Sequence, residues 1–406
     1  MKKFLNKLIA IISNNRWIII FVLAIPFFNE VYPPMTFIYD YLIDGLKIVS
    51  FVTMAFILYS KKRKPSVLFL SLVIIEIWWM VSTIINYPFD STTYYAVYHK
   101  QIMDSFNAFC MALIVECFID NPKDLLSGLL LNFELALYPH MIVSFVKPYG
   151  DNYQLLGYYS VVILWTLPAL CVSLLNIFIN KRYFRSLALF VAIFAITIRT
   201  WCATIVVAFI GFFGPVILGV LLMKIDRFKD FRLPLSVFVV FAVLLNLFVL
   251  FIYTDGSFPL IDVFIEKFLR RSTSFSERGV IWQEAMRMIK EKPLVGHGFR
   301  PTIYAVNSTG DQFIHAHNQL LQRLVATGII GLITFAIFHI FTIAKVDRSE
   351  NSIERLVLMG GIFGICITYI TEGYKKFFRF YLIFFLAYHV DELIKAKYNN
   401  SDYLLK

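Results

Sequence analysis

Charge is scarce in this 406-residue chain. Asp, Glu, Lys and Arg make up only 16% of it, against 59% hydrophobic residues and a mean hydropathy of +0.71, and such a composition cannot clothe a soluble surface. Cysteine is scarce too. Cys110, Cys117, Cys171, Cys202 and Cys366 are odd in number, form no CxxC pair and sit in apolar runs, which excludes a disulfide framework and leaves small buried residues. There is no internal repeat or low-complexity tract, and no basic soluble segment to carry the net charge of +11 onto nucleic acid. The basic, then apolar, "MKKFLNKLIAIISNNRWIIIFVLAIPFF" is followed by no small-residue cleavage site. It reads as a first span with a cytoplasmic basic tail.

What the chain has in abundance is apolar segments long enough to cross a bilayer as helices. About twelve are expected, near 16–31, 37–59, 66–86, 94–118, 124–147, 155–180, 184–199, 201–223, 235–253, 318–344, 354–372 and 377–395. The fold class is therefore an all-α polytopic membrane protein. Its expected divisions are a nine-span bundle over 1–253, a loop over 254–317, and C-terminal membrane helices with a cytoplasmic tail over 318–406. Alternate connections are basic ("KKRK", "KRYFR", "KIDRFKDFR", "KVDRSENSIER"), and placing both termini inside puts about 22 of the 38 Lys and Arg residues on the cytoplasmic side. The long loop is then extracytoplasmic. Within it, "STSFSERGVIWQEAMRMIKEKPLVGHGF" predicts an amphipathic helix capped by Ser274 and Glu277 and stopping before Pro293, suited to lie on the membrane surface.

Ionisable residues inside spans are functional candidates. Asp44, Lys47, His99, Asp104 and His140 fall in the outer halves of their spans, and Arg199, Arg323, Lys375, Lys376 and Arg379 near outer ends, as though around a polar cavity open to the outer leaflet. Glu76, Glu116 and Glu134 are more isolated and read as helix-to-helix hydrogen-bonding groups. Trp201 and Trp282 suit interface anchors or sugar-stacking platforms. A transporter would be marked by two similar halves or by broken spans near the midplane; the sequence shows neither a repeat nor a midplane cluster, which argues against one.

The densest chemistry lies in "FIHAHNQLLQRLVATGIIG". Asn318 is a candidate N-cap, placing the positive end of a helix dipole beside His317, where an anion would be stabilised. Eleven residues on, Gly328 returns to nearly the same face of a continuous helix, and Gly328 and Gly331 would let a neighbouring helix pack closely. His297, His315 and His317 could alternatively bind zinc, but no acidic partner accompanies them in the sequence.

The pattern HN-x9-G-x-x-G after a large outer loop resembles the bacterial O-antigen polymerase and O-antigen ligase superfamily (Wzy and WaaL types). Two further segments carry the resemblance: Arg278, Trp282, Pro293, Gly296 and Gly298 match its loop pattern, and "ITIRTWC" looks like its serine-arginine turn, with Ile198 in place of the serine. The resemblance implies a GT-C-like membrane glycosyltransferase of the bacterial cytoplasmic (inner) membrane, working at the extracytoplasmic face without cofactor or metal. No D-x-D occurs in the chain. It implies an undecaprenyl-diphosphate-linked oligosaccharide donor and a glycan acceptor, with membrane lipids, a flippase and a chain-length regulator as further partners. Polymerisation of repeat units into a surface polysaccharide such as capsule, O-antigen or exopolysaccharide is the expected activity, ligation of a finished glycan the alternative. His317, Arg199 and Arg278 are the expected catalytic residues, with Asn318, Arg300, Arg323, Lys375 and Arg379 binding substrate.

Overall fold

The structure, a computed structural model, describes residues 15–28, 37–146, 153–228, 231–255, 275–299, 303, 305–306, 312–313, 315–373 and 377–398. It is helical apart from two ladders of two-residue antiparallel strands, 153–154 with 157–158 and 305–306 with 312–313. The helices, in chain order, are α1 (Arg16–Phe28), α2 (Phe37–Ser60), α3 (Val67–Asn86), α4 (His99–Phe118, entered through a π turn at Tyr94–Tyr98), α5 (Pro122–Val146), α6 (Ile163–Asn180) and α7 (Tyr183–Thr200). They continue with α8 (Ala203–Lys224), α9 (Leu235–Asp255), α10 (Phe275–Glu291), α11 (Gln319–Arg348), α12 (Ile353–Thr371), α13 (Phe378–Tyr388) and α14 (Val390–Tyr398). Among the described residues, nine helices are long and apolar enough to cross a membrane, and three shorter apolar ones, α1, α9 and α13, coincide with the expected first, ninth and twelfth spans. The chain is an all-α polytopic membrane protein. The expected twelfth span is interrupted: α13 ends at Tyr388 and α14 begins at Val390, with His389 between them held by Glu116 at 3.2 Å.

The bundle is built around α12, 94% of whose span is buried. Its Gly360 and Gly364 face α8, where a Cβ at Gly364 would stand 3.0 Å from the Ala208 carbonyl, so the two backbones approach as only small residues permit. The isolated glutamates act as the sequence suggests: Glu76 accepts from Ser105 Oγ at 2.7 Å, Glu134 pairs with Arg185, and Glu116 with His389.

Two expectations are corrected. The amphipathic helix α10 does not offer its apolar face to lipid: Ile281, Trp282, Ala285 and Met288 pack with Leu321 and Val325 of α11 and with Val249 and Leu250 of α9. Its proposed capping serine, Ser274, lies outside the described residues. Nor is α11 continuous, because Gly328 has φ 64° and ψ −168°, far from helical values. The backbone groups that the break releases are satisfied by the Pro293–Gly298 loop. His297 N donates to Val325 O and Gly298 N to Ala326 O, both at 2.8 Å, while Ile329 N donates to Pro293 O at 2.8 Å. From the other side α3 closes the break, with Trp78 Nε1 donating to Thr327 O at 2.9 Å and Ser82 Oγ to Ala326 O at 3.0 Å. A broken span in hydrocarbon is tolerated only when such partners exist. The glycines thus admit a loop where the sequence suggested a neighbouring helix. A broken span, one of the marks of a transporter, is therefore present in this fold.

Candidate active site at the start of α11

The α11 N-terminus is held by Asn318. Its Oδ1 accepts from Leu320 N and Leu321 N, both at 3.1 Å, and its Nδ2 donates to Asn246 Oδ1 of α9 at 2.7 Å and to the Ile370 carbonyl of α12 at 3.3 Å. Every lone pair and proton of the amide is thereby used. The expected N-cap is present, and the residue joins α9, α11 and α12 where the sequence suggested a substrate ligand.

Ala316, two residues before the cap, is held from both sides. Ala316 N donates to Gln322 Oε1 at 2.9 Å, and Ala316 O accepts from Trp282 Nε1 at 2.9 Å. Trp282 is fully buried, so it is neither an interface anchor nor a stacking platform; it fastens α10 to the loop. His317 follows in the left-handed region at φ 46°, a conformation that costs a non-glycine residue about 1–2 kcal/mol. The turn brings the His315 and His317 rings to 3.9 Å between centroids, tilted by 36°.

Facing this pair is Glu372, the residue that follows α12. Its Oε2 lies 3.4 Å from His317 Nδ1, and the carboxylate is buried. Burial pushes the Glu372 carboxyl up, but the facing His317 imidazole, then the Arg278 guanidinium and His315, outweigh it and hold the group below its ordinary value of 4.5. The carboxylate is ionised at neutral pH. Arg278, in the first turn of α10, is therefore within electrostatic reach of the pair. His315, His317 and Glu372 place one donor atom each within 4.8 Å of one another, a set that could hold a metal ion. His297 is not of that group, since its Nε2 is engaged with the Met288 carbonyl at 2.9 Å.

Arg199 ends α7, and its Nε donates to the Ser144 carbonyl of α5 at 3.0 Å. Trp201 turns the chain at φ 42° into α8, whose Thr204 contacts Thr371, next to Glu372, at 3.4 Å. The α7–α8 turn thus lies at the same end of the bundle as the histidines. Two further candidates, Arg323 and Arg379, do not line an open cavity. Arg323 is buried with its guanidinium 4.7 Å from the Trp79 ring, 5.0 Å from Phe335 and 4.8 Å from Phe377. Arg379 is buried over Trp165 at 3.5 Å and donates to the Phe27 carbonyl at 2.9 Å. Arg300, Lys375 and Lys376 lie outside the described residues. Sequence reasoning missed Glu372. The available signal was an acidic residue at the end of a span, three residues before Lys375.

Residues 161–336 match the family model described as O-antigen ligase. Over that stretch, under half of the chain, the sequence is similar to O-antigen ligases. The stretch holds Arg199, Arg278, His317 and the break at Gly328, while Glu372 lies beyond its end. The chain is also similar to a putative polysaccharide ligase of Rickettsia felis, 26% identical over 31% of this chain and 30% of that protein. An O-antigen ligase of Pseudomonas aeruginosa is 34% identical over 27% of this chain and 26% of its own length. An uncharacterized protein of Haemophilus influenzae is 25% identical over 57% of this chain and 61% of its own length. Each match covers less than two thirds of the relative concerned.

Proposed function

We propose that the chain transfers a glycan from a polyprenyl-diphosphate carrier to a hydroxyl acceptor, with His317 as general base. The observation that carries this reading is Glu372 facing His317 Nδ1 at 3.4 Å, with Arg278 in reach, His317 and Arg278 both lying in the stretch similar to O-antigen ligases. A carboxylate on Nδ1 fixes the imidazole so that proton uptake falls to Nε2, and it stabilises the imidazolium that results. The acceptor oxygen attacks the anomeric carbon, the carbon–oxygen bond to the diphosphate breaks, and the bonding pair leaves with the diphosphate. The acceptor's proton ends on His317, and one displacement inverts the anomeric configuration. Arg278, Arg199 and the α11 N-terminus would meet the charge of the departing diphosphate. The basic connections support a site at the extracytoplasmic face of the inner membrane, with both termini in the cytoplasm.

Polymerisation of lipid-linked repeat units is the finer reading; the ligase names of the Rickettsia and Pseudomonas relatives favour transfer of a finished glycan. Product analysis separates them. Purified protein given a lipid-linked repeat unit alone should build a ladder of lengthening lipid-linked chains if it polymerises. It should release glycan only onto an added second acceptor if it ligates. Transport without any new glycosidic bond would overturn both. Activity lost on chelation and restored by zinc would reassign His315, His317 and Glu372 as metal ligands.

A further inference from the structure

The transfer reading gives parts to His317 and Glu372 and none to His315. Yet the chain strains its backbone to bring His315 in. Residues two apart in extended backbone stand about 6.6 Å from each other on one face. The left-handed turn at His317, φ 46°, draws the two imidazoles to 3.9 Å between ring centroids.

With Glu372 the pair makes a ligand set. His315, His317 and Glu372 each offer one donor atom, all within 4.8 Å of one another. His317 Nδ1 and Glu372 Oε2, 3.4 Å apart, already stand at the edge of a metal tetrahedron, which is about 3.3 Å for bonds of about 2.0–2.1 Å. Side-chain rotation closes the remaining edges. Three protein ligands leave a fourth position open, and the His317 side chain, 21% exposed, lets water reach it. Two neutral nitrogens and one carboxylate select Zn²⁺ or Co²⁺ over Mg²⁺ and Ca²⁺, which favour all-oxygen shells. Arg278, within electrostatic reach, opposes a dication and keeps its binding reversible.

We propose that His315, His317 and Glu372 form an inhibitory site for a divalent cation of the Zn²⁺ class. That the ion inhibits rests on the transfer reading above. As a base, His317 keeps its ring proton on Nδ1, towards Glu372, and offers the Nε2 lone pair to the acceptor. A metal on Nδ1 takes the lone pair there, so the ring proton must sit on Nε2 and nothing is left to accept the acceptor's proton. The metal also draws Glu372 away from the imidazole it orients. Metal binding and base catalysis therefore exclude each other at this ring.

The test uses metal-stripped, detergent-solubilised full-length protein and two readouts, one of which needs no turnover. Co²⁺ should bind with the strong visible absorption of a four-coordinate ion and be displaced by Zn²⁺ but not by Mg²⁺. The spectrum should be lost in His315→Phe, which keeps a ring against His317 but has no donor atom, and kept in His297→Gln. In the transfer assay Zn²⁺ should inhibit wild type, and a chelator should restore the rate. The free Zn²⁺ giving half inhibition, taken against each protein's own zinc-free rate, should rise about tenfold or more in His315→Phe and stay unchanged in His297→Gln. No cobalt spectrum in wild type, or equal zinc sensitivity in wild type and His315→Phe, would overturn the inference even if transfer is seen. Activity lost on chelation would overturn it too, because the metal would then be catalytic. Cobalt binding that depends on His315, in a protein that transfers no glycan, would refute the proposed function and leave the metal site standing.

Discussion

Replacing Gly328 with alanine distinguishes a broken α11 from a continuous one by the sign of the effect. In a continuous helix, Gly→Ala stabilises by about 1 kcal/mol. At φ 64° and ψ −168° an alanine instead occupies a region that is essentially glycine's alone, at about 1–3 kcal/mol. Its Cβ would also overlap the Leu294 carbonyl and stand 2.6 Å from Val295 N, so the Pro293–Gly298 loop must withdraw. Withdrawal breaks the hydrogen bonds His297 N to Val325 O, Gly298 N to Ala326 O and Ile329 N to Pro293 O, at about 1 kcal/mol net each. The expected destabilisation is thus about 4–6 kcal/mol, comparable to the whole stability of many domains. Denaturant unfolding of the detergent-solubilised protein, followed by tryptophan fluorescence, measures it. Gly214→Ala is the control, because a Cβ there meets nothing within 4 Å, and its change should stay within about 1 kcal/mol. A Gly328→Ala protein as stable as wild type, or more so, would refute the account of the break.

Other predictions rest on single contacts. Glu372→Gln should reduce transfer at least tenfold while the protein remains folded, measured as initial rate with saturating donor. Because the folded-state Glu372 carboxyl lies below 4.5, its stabilisation is present above pH 4.5 and is lost as pH falls through the lower folded value. The melting temperatures of wild type and Glu372→Gln should therefore differ at neutral pH and converge in acid; a constant gap would contradict the pairing. Trp282→Phe should cost about 1–3 kcal/mol by orphaning the Ala316 carbonyl, and should lower activity by freeing the His315–His317 turn. Arg355→Ala, which removes a fully buried guanidinium from the Val346 and Leu233 carbonyls at the opposite end of α12, should destabilise by about 3–5 kcal/mol and leave donor KM unchanged.

The spans were legible because each needs a long apolar run, and the helices sit where the runs do. The N-cap at Asn318 and the helix-to-helix roles of Glu76, Glu116 and Glu134 were legible for a related reason: a lone polar group in an apolar segment must find a partner. What periodicity could not show was the break at Gly328, since a glycine at helical spacing looks the same whether a helix or a loop lies against it. The role of Arg323 was hidden likewise. Its outer position suggested a cation for substrate, but Trp79, Phe335 and Phe377 come from α3, from beyond the break and from the approach to α13, and only the fold assembles that cage. Glu372 stands 55 residues after His317, and no local spacing links them.

The rate of glycan transfer from a polyprenyl-diphosphate donor by purified wild type, His317→Ala and His317→Gln tests the central claim. A general base contributes about 10²–10⁴ in rate, so both variants should fall at least a hundredfold while retaining the wild-type fold. Full activity in both would contradict the assignment of His317 and, with it, the mechanism built on the His317–Glu372 pair.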